Sequence, residues 1–287
     1  MSARTGLLPR LIRRQMRRWK VLLRWRRISL AGVPILFANS FPKSGTHLLT
    51  QILQGFPAIG PAVDSGLPAV VTFEGSTGRE RPADEILIDL ERLLPGDIAY
   101  GHLHAAPEVA GFLCRDHVAA YFILRDPRDV VVSHVYYVTE MEPDHIHHAY
   151  YTAGLTDFDQ RLRTSILGLP GEEIPFPDIT QRFAPYLGWL EQTQVLSLRF
   201  EDLITEQDQA LNRVLDHAVQ RGFSPAQDRS AAIRALAESI KPSRSPTYRS
   251  GKIGGWKEKF SPENKALFKE IAGDLLIRLG YEPDHNW

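Results

Sequence analysis

VPILFANSFPKSGTHLLTQIL, residues 33–53, places an apolar run, a short loop and a helical pattern in that order. This order predicts a buried strand that leads through a tight turn into a helix. The backbone N–H groups of such a loop converge with the positive end of the helix on one phosphate. Lys43 adds a positive charge, Gly45 allows the turn, and Ser44 and Thr46 add hydroxyl groups. The stretch therefore predicts a phosphate-binding loop.

The loop differs from the Walker A loop of ATPases, which follows the pattern G-x-x-x-x-G-K-[ST]. Here Lys43 precedes Gly45, and no earlier glycine opens the loop. The order of residues therefore argues against an ATPase. Taken alone, the stretch leaves one other interpretation open, an ordinary strand-to-helix turn that holds a lysine.

Length and composition are those of an ordinary globular protein. The chain has 287 residues, of which 43% are hydrophobic and 24% are charged, enough for one α/β domain or at most two. A single cysteine, Cys114, excludes an intramolecular disulfide and a multi-cysteine metal site. Because this cysteine usage fits a reducing compartment, we expect a cytoplasmic protein.

Residues 1–27 differ from the rest of the chain in charge. They contain ten Lys or Arg and no Asp or Glu, which leaves 24 basic against 34 acidic residues in the remainder. Apolar residues recur at helical spacing opposite most of the arginines: Leu8, Leu11, Ile12, Met16, Trp19, Leu22 and Leu23. The segment therefore predicts a basic amphipathic helix, set before one domain over residues 28–287.

Three interpretations of this helix remain open. In the first, it is a peripheral helix on anionic lipid at the inner face of the membrane. In the second, it is a basic arm that is disordered or docks on a partner. In the third, it belongs to a twin-arginine export signal at Arg26 and Arg27. The export signal is disfavoured, because the apolar stretch after it is needed as the strand that carries the phosphate loop. No apolar run has the length of a membrane-spanning helix.

A second stretch, RDPRDVVVS, begins at Arg125 directly after an apolar run that predicts a strand over residues 119–124. Ligands of open α/β sheets bind at the carboxyl ends of strands. Ser133 lies about two helical turns further on, so the two residues can hold one phosphate from two sides. The alternative is a structural arginine that is paired with Asp126 or Asp129.

A third stretch, RSGKIGGWK, runs from Arg249 through Gly251 to residue 257 and precedes a helix that Ser261 is expected to cap. Its three glycines allow a backbone to wrap closely around a ligand, while its cations favour an anion. A lone glycine-rich loop has little specificity, so the stretch gains meaning only together with the other two.

The three motifs in this order closely resemble the family of sulfotransferases that use 3′-phosphoadenosine-5′-phosphosulfate (PAPS), over about residues 33–270. The resemblance implies that the first loop holds the 5′-phosphosulfate, and that the other two motifs hold the 3′-phosphate. A nucleotide with phosphates on two sides of its ribose needs two such anion sites, whereas ATP needs one. The cofactor ligands implied are Lys43, Ser44, Gly45, Thr46, His47, Arg125, Ser133, Arg249, Ser250 and Gly251, with Trp256 and Lys257 completing the last motif.

The resemblance also assigns catalysis. Lys43 would stabilise the departing phosphate, and His102 in the segment GHLH would take the acceptor's proton as general base. His104 shares a strand face with His102 and is its alternative. Glu74 is a third candidate, because some glycan sulfotransferases place a glutamate after the first helix.

The adenine site departs from the family pattern. Cytosolic members follow the loop with Thr and Trp, where this chain has His47 and Leu48. Phe200 in LRFEDL is the ring expected to stack on adenine, and Ser239 resembles another 3′-phosphate ligand. Ser250 replaces a common Lys.

No metal is required for sulfuryl transfer by this resemblance, and we expect none. His145, His147 and His148 lack the frame of a typical metal site. The acceptor group is a hydroxyl or amine. The sequence leaves open whether it belongs to a glycan, a lipid-linked saccharide, a phenol, a peptide or a small alcohol. No nucleic acid is expected as a partner. Two other functions remain, a P-loop kinase-like phosphotransferase and a noncatalytic nucleotide-binding protein of the same fold. The oligomeric state is left open.

Helical and strand patterns alternate along the rest of the chain, which predicts an α/β fold: a central parallel β-sheet flanked by helices, with the three layers of P-loop NTPase-like sulfotransferases. The irregular region 139–178 is expected to line the acceptor pocket. Further strands are predicted over residues 97–103 and 195–200. Helices are predicted over residues 82–94, 157–167, 178–191, 206–221, 225–240 and 262–279.

Overall fold

The computed structural model describes residues 7–75, 77–169, 176–245 and 251–287. A six-stranded sheet forms its centre, with strand order β2-β4-β1-β5-β6 and β3 beside β4. Every strand pair is parallel. The strands are β1 (Ile35–Ser40), β2 (Val63–Asp64), β3 (Val70–Val71), β4 (Asp97–His102), β5 (Val118–Leu124) and β6 (Val195–Arg199).

Helices connect the strands and cover the sheet. The α-helices are α1 (Leu7–Arg24), α2 (Thr46–Gln54), α3 (Phe56–Ile59), α4 (Ala83–Glu91), α5 (Pro107–Leu113), α6 (Pro127–Tyr136), α7 (Phe158–Leu167), α8 (Ile179–Phe183), α9 (Phe200–Thr205), α10 (Gln207–Gln220), α11 (Arg229–Ser239) and α12 (Pro262–Arg278). Short 3₁₀ turns occupy Ala184–Glu191, Pro242–Arg244 and Gly255–Glu258, and π-helical turns occupy Tyr137–Met141 and Tyr150–Gly154. No helix in these ranges is long and apolar enough to cross a membrane.

Two apolar cores lie on opposite faces of the sheet. Phe37 and Phe122 point into one core, which α6, α7 and α12 cover. Leu36 and Tyr121 point into the other, which α2, α10 and α11 cover. Side chains of a strand alternate between faces, so a central strand buried on both sides needs apolar residues at every position. The predicted three-layer α/β fold is confirmed.

Several boundaries differ from the predictions. The predicted helix over residues 178–191 is α8 followed by a 3₁₀ helix, because Pro185 has no N–H to donate to an α-helical bond. The helix predicted from residue 225 begins only at Arg229, where the Asp228 side chain accepts from the Ala231 N–H at 2.9 Å. The strand predicted through Phe200 ends one residue earlier, and Phe200 begins α9.

The chain changes direction across the sheet at β1. The strands before β5 extend the sheet on one side of β1, whereas β5 and β6 extend it on the other. Such a switch point opens a crevice at the carboxyl ends of the strands. Ser40, His102 and Arg125 lie at the ends of β1, β4 and β5, so this edge collects the residues that the sequence singled out.

Candidate nucleotide and catalytic site

The loop between β1 and α2 requires its glycine for two reasons. Gly45 caps α2 with φ 99°, a left-handed conformation that side chains rarely adopt. A Cβ at this position would also lie 2.6 Å from the Phe200 ring. The first N–H groups of α2 have no acceptor within the helix and face the same loop. Ser44 is fully buried in the loop, and its Oγ has no hydrogen-bond partner among the described residues.

Lys43 is a largely buried cation of this loop. Its Nζ lies 3.8 Å from the centre of the Tyr137 ring, at the start of the first π-helical turn. Burial lowers the pKa of Lys43 to about 8, and the nearby charge of Arg125 contributes to the decrease. No carboxylate of the described residues is within ion-pair distance to offset these effects. The loop therefore holds a positive charge that no described carboxylate neutralises, which favours binding of an anion.

Arg125 forms a second cationic centre at the end of β5. Its guanidinium donates to the Lys252 carbonyl at 2.7 Å and lies 4.5 Å over the Phe200 ring. It also lies 3.4 Å from Asp129, so the local ion pair left open by the sequence is present. The buried Arg125 Nε has no hydrogen-bond partner in the described part of the chain. The Arg125 Nε–H can therefore still donate a hydrogen bond to an anionic ligand.

The glycine-rich loop is fastened to α6 beside Arg125. The two carboxylate oxygens of Asp129 accept from the N–H groups of Gly254 at 2.8 Å and Trp256 at 2.9 Å. Gly251 and Gly254 have φ 61° and 68°, which permits this tight path. The predicted ligand Gly251 thus lies close to Arg125 through their common neighbour Lys252.

Two predicted ligands, Arg249 and Ser250, lie outside the described residues. Ser133 is half-buried on α6, two turns along the helix from Arg125. Its role as a phosphate ligand stays a prediction.

His102 is held by the end of β1. Its Nδ1 lies 3.0 Å from Ser40 Oγ and 3.1 Å from the Ser40 carbonyl oxygen. Ser40 Oγ is also 2.7 Å from Thr46 Oγ1, which connects the histidine to the phosphate loop. Asn39 fixes the next residue, because its amide exchanges hydrogen bonds of 3.0 and 2.8 Å with the Leu103 backbone. Burial lowers the pKa of His102 to about 4, so the ring is neutral at pH 7.

The two alternative bases have different surroundings. His104 is wedged edge-on between Phe73 and Tyr186, at ring distances of 5.4 and 4.8 Å, and burial lowers its pKa to about 4. Glu74 is ion-paired with Arg79 at 2.6 Å, and the hydrogen bond from Arg79 lowers the pKa of its carboxyl. A carboxylate already paired with an arginine is a weak base. His102 is thus the only one of the three with a described hydrogen bond to Ser40.

A cleft of about 430 Å³ extends from the phosphate loop between α2 and the segment after α11. Its volume falls within the usual range of nucleotide-sized sites. The amide of Gln51 exchanges hydrogen bonds of 3.0 and 2.8 Å with the Lys241 backbone and fixes one wall. The lining consists of His47, Thr50, Gln51, Gln54, Tyr100, Ser239, Lys241, Arg244 and Ser245.

The predicted ligands His47 and Ser239 both line this cleft, whereas Phe200 is not among its lining residues. Phe200 is 6% exposed, packed against Gly45 and beneath the Arg125 guanidinium. Its stacking on adenine stays a prediction. The burial of His47 lowers its pKa, with a contribution from the charge of Lys43.

Sequence reasoning missed three residues that position others. Ser40 contacts His102, Asp129 holds the glycine-rich loop, and Tyr137 contacts Lys43. The sequence indicates Asp129 only as a partner of Arg125. A buried serine that ends a strand before a phosphate loop is the signal that could have identified Ser40, but the contacts of Tyr137 depend on a helix distortion without a sequence signature.

The residues present fit a ligand with two anionic groups. Lys43 and the N-terminus of α2 would hold one anionic group, and Arg125 with the glycine-rich loop would hold the other. Both sets of residues keep buried donors available, at Ser44 Oγ and Arg125 Nε. In the described ranges, no three His, Cys, Asp or Glu side chains are grouped as a metal site requires.

Comparisons with known proteins identify a matching family model and solved structures of the same fold. A family model described as a sulfotransferase domain matches residues 120–280, more than half of the chain. A crystal structure of mouse sulfotransferase SULT7A1 complexed with PAP is similar, with a TM-score of 0.58 and 16% identity over 85% of this chain and 84% of that one. A retinol dehydratase structure with androsterone and inactive cofactor PAP has a TM-score of 0.56 and 16% identity over 91% and 85% of the two chains. No curated protein sequence matches the chain.

Proposed function

The chain belongs to the sulfotransferase family, and on that premise we propose that it transfers the sulfuryl group of PAPS to a hydroxyl or amine acceptor. The observation that carries this proposal is the pair of partly buried cationic centres at one sheet edge, Lys43 without a described carboxylate partner and Arg125 with one, Asp129. Burying two cations near each other is unfavourable unless anions accompany them. A donor with separate 5′ and 3′ anionic groups supplies those anions.

The donor would span the two centres. Lys43, Ser44, Gly45 and Thr46 would hold its 5′-phosphosulfate, and Arg125 with the glycine-rich loop would hold its 3′-phosphate. The cleft beside His47 and Ser239 would take the adenosine, since it opens from the same loop. When bound, PAPS supplies an activated sulfuryl group that can pass to an oxygen or nitrogen nucleophile.

Lys43 would stabilise the negative charge that develops on the leaving phosphate. Its ammonium lies in a largely buried position, where a charge interaction is stronger than in water. Its present contact is the face of Tyr137, which holds the cation without neutralising it. Binding an anion would raise the pKa of Lys43 and keep it protonated.

His102 would act as the general base through Nε2. A carbonyl oxygen can only accept, so the contact between Nδ1 and the Ser40 carbonyl favours the tautomer with hydrogen on Nδ1. That tautomer leaves the Nε2 lone pair available for the acceptor's proton. The lowered pKa keeps the ring neutral, as a base must be before it acts.

For the acceptor we propose only a chemical class, not a particular molecule. A glycan, a lipid-linked saccharide or a small alcohol would each present a suitable hydroxyl. Two retinol dehydratase structures of this fold hold androsterone and retinol, which are alcohols. We place the protein in the cytoplasm, peripherally on the inner face of the membrane.

The test uses the purified full chain, labelled PAPS and fractionated cell extract. We expect label in one acceptor fraction, and no label with Lys43→Met. Calorimetry should show binding of 3′,5′-bisphosphoadenosine in preference to ATP with Mg²⁺. The opposite preference would indicate a kinase, and binding without transfer to any fraction would indicate a noncatalytic protein.

A further inference from the structure

Helix α1 is attached to the rest of the protein through its arginines. Arg14 and Arg18 form ion pairs with the fully buried Asp97 at 2.6 and 2.9 Å. Arg18 also donates to the Pro95 carbonyl at 3.0 Å, and Arg17 to the Ser65 carbonyl at 2.7 Å. The side of α1 that contacts the rest of the protein therefore carries these arginines, together with Val21 and Leu22, which pack against the core under α2. An ordinary surface helix makes such a contact mainly through apolar residues.

Five apolar residues on the opposite side of α1 face solvent. They follow one another at intervals of four, four, three and four positions, which places them in a single stripe along the helix. Their exposed fractions are large for such side chains: Leu8 65%, Ile12 55%, Met16 52%, Trp19 67% and Leu23 76%. We call these five residues the apolar stripe. A continuous exposed apolar surface of this kind marks an interaction site.

Basic residues border the apolar stripe. Arg13, Lys20 and Arg24 are exposed on the helix turns beside it, and Arg26 and Arg27 are exposed just after the helix. No acidic residue occurs in residues 1–27. The surface thus combines an apolar centre containing a tryptophan with a positive border, the pattern of helices that lie in the interface of anionic bilayers.

We propose that α1 docks the protein on an anionic lipid bilayer, with the apolar stripe inserted at the boundary between headgroups and acyl chains. The positive border favours lipid over a second copy of the chain, because pairing two such helices would place arginines against arginines. The ion pairs with Asp97 fix the orientation of the helix on the protein, so the bilayer would meet a rigid surface. This proposal rests on the peripheral membrane location in the proposed function and specifies which surface of the protein contacts the membrane.

The docking surface is separate from the catalytic site. Asp97 begins β4 and His102 ends it, so the attachment of α1 and the candidate base lie about 17 Å apart at 3.3 Å per residue. Substitutions in the apolar stripe should therefore leave nucleotide binding intact. Vesicle binding needs no sulfuryl transfer, so its failure and the failure of the proposed reaction can be told apart.

The test compares flotation of the full chain with phosphatidylcholine vesicles that contain 30 mol% or no phosphatidylserine. Trp19→Ser with Leu23→Ser should weaken binding to the anionic vesicles at least tenfold. The matched control, Ile88→Ser with Val219→Ser, removes two apolar side chains exposed on other helices and should change binding less than twofold. Unchanged affinity for 3′,5′-bisphosphoadenosine would show that all variants are folded.

The charged border is tested separately by Arg13→Gln with Arg24→Gln. This variant should lose at least fivefold in binding to anionic vesicles and should show a weaker dependence on salt. Equal flotation of wild type and the stripe variant would overturn the proposal, as would equal binding to neutral and anionic vesicles. A concentration-dependent dimer of the full chain that the stripe variant abolishes would overturn it in favour of a second copy.

Discussion

The two ends of strand β4 both lie beside cationic side chains, but only one end supplies a carboxylate to pair with them. At the first end, Asp97 lies between Arg14 and Arg18, so the carboxylate has cationic partners within 3 Å. At the other end, His102 neighbours the cationic Lys43, which faces an aromatic ring and no described carboxylate. We call the first arrangement closed, because a carboxylate lies beside its cations, and the second open, because none of the described carboxylates lies beside Lys43.

This contrast separates attachment from chemistry. In a closed group a carboxylate lies against the cations, here one carboxylate against two arginines, so the group binds α1 to the sheet. Burial lowers the pKa of Arg14 at the closed end, where the charge of Asp97 offsets part of the decrease. It also lowers the pKa of Lys43 at the open end, where no described carboxylate offsets it. The same residue types therefore act structurally at one edge of the sheet and are available for function at the other.

The largest expected effect tests the open end. Lys43→Met should lower kcat about a thousandfold, because the cation opposite the leaving phosphate is lost. The free energy of unfolding should stay the same or rise, since an unpaired buried charge is removed. Steady-state transfer from labelled PAPS and urea unfolding measure the two quantities.

The control is Lys259→Met, which removes an exposed lysine that lies over the rings of Tyr136 and Phe158. Its activity should remain within twofold of wild type. A loss of stability in Lys43→Met would show that this lysine is structural, and the contrast between the two ends would fail.

The closed end should respond in stability. Asp97→Asn removes one partner of a buried ion pair and leaves Arg14 uncompensated, which should reduce the free energy of unfolding by about 3 kcal/mol. Asp216→Asn breaks an exposed pair with Arg229 and should cost much less, because solvent screens the two charges. Urea unfolding curves compare the two, and equal losses would contradict the closed arrangement.

His102→Ala should lower kcat about a hundredfold while leaving the affinity for 3′,5′-bisphosphoadenosine unchanged, because only the proton acceptor is lost. His104→Ala, two residues away among aromatic rings, should lower kcat only a few-fold. Stopped assays with labelled PAPS measure both variants. Near-normal turnover of His102→Ala would transfer the role of base to His104 or Glu74.

The smallest effect is the pH dependence. Transfer needs neutral His102 and protonated Lys43, whose pKa values are about 4 and about 8. The value of kcat/KM for PAPS should therefore rise through pH 4, stay level, and fall about tenfold per pH unit above 8. Saturating PAPS should move the upper decrease to higher pH, since bound anions favour the protonated lysine. An upper decrease that persists in Lys43→Met would assign it to another group.

Much of the open end could be predicted from local sequence. The strand, loop and helix of residues 33–53 appear as β1, the Gly45 turn and α2, and Arg125 directly follows the carboxyl end of β5 as expected. Such motifs are local, because a phosphate loop is built from consecutive backbone groups. The contact of Ser40 with His102 was not predictable in this way, since it depends on the parallel register of β1 and β4.

The closed end shows the limit of sequence reasoning. By itself, the sequence determined that residues 1–27 contain a helix with an apolar side and a basic side, because periodicity fixes which residues share a face. Only the tertiary structure decided which side faces the sheet. That choice depends on Asp97, a single buried carboxylate 79 residues beyond Arg18, whose partners cannot be read from spacing along the chain.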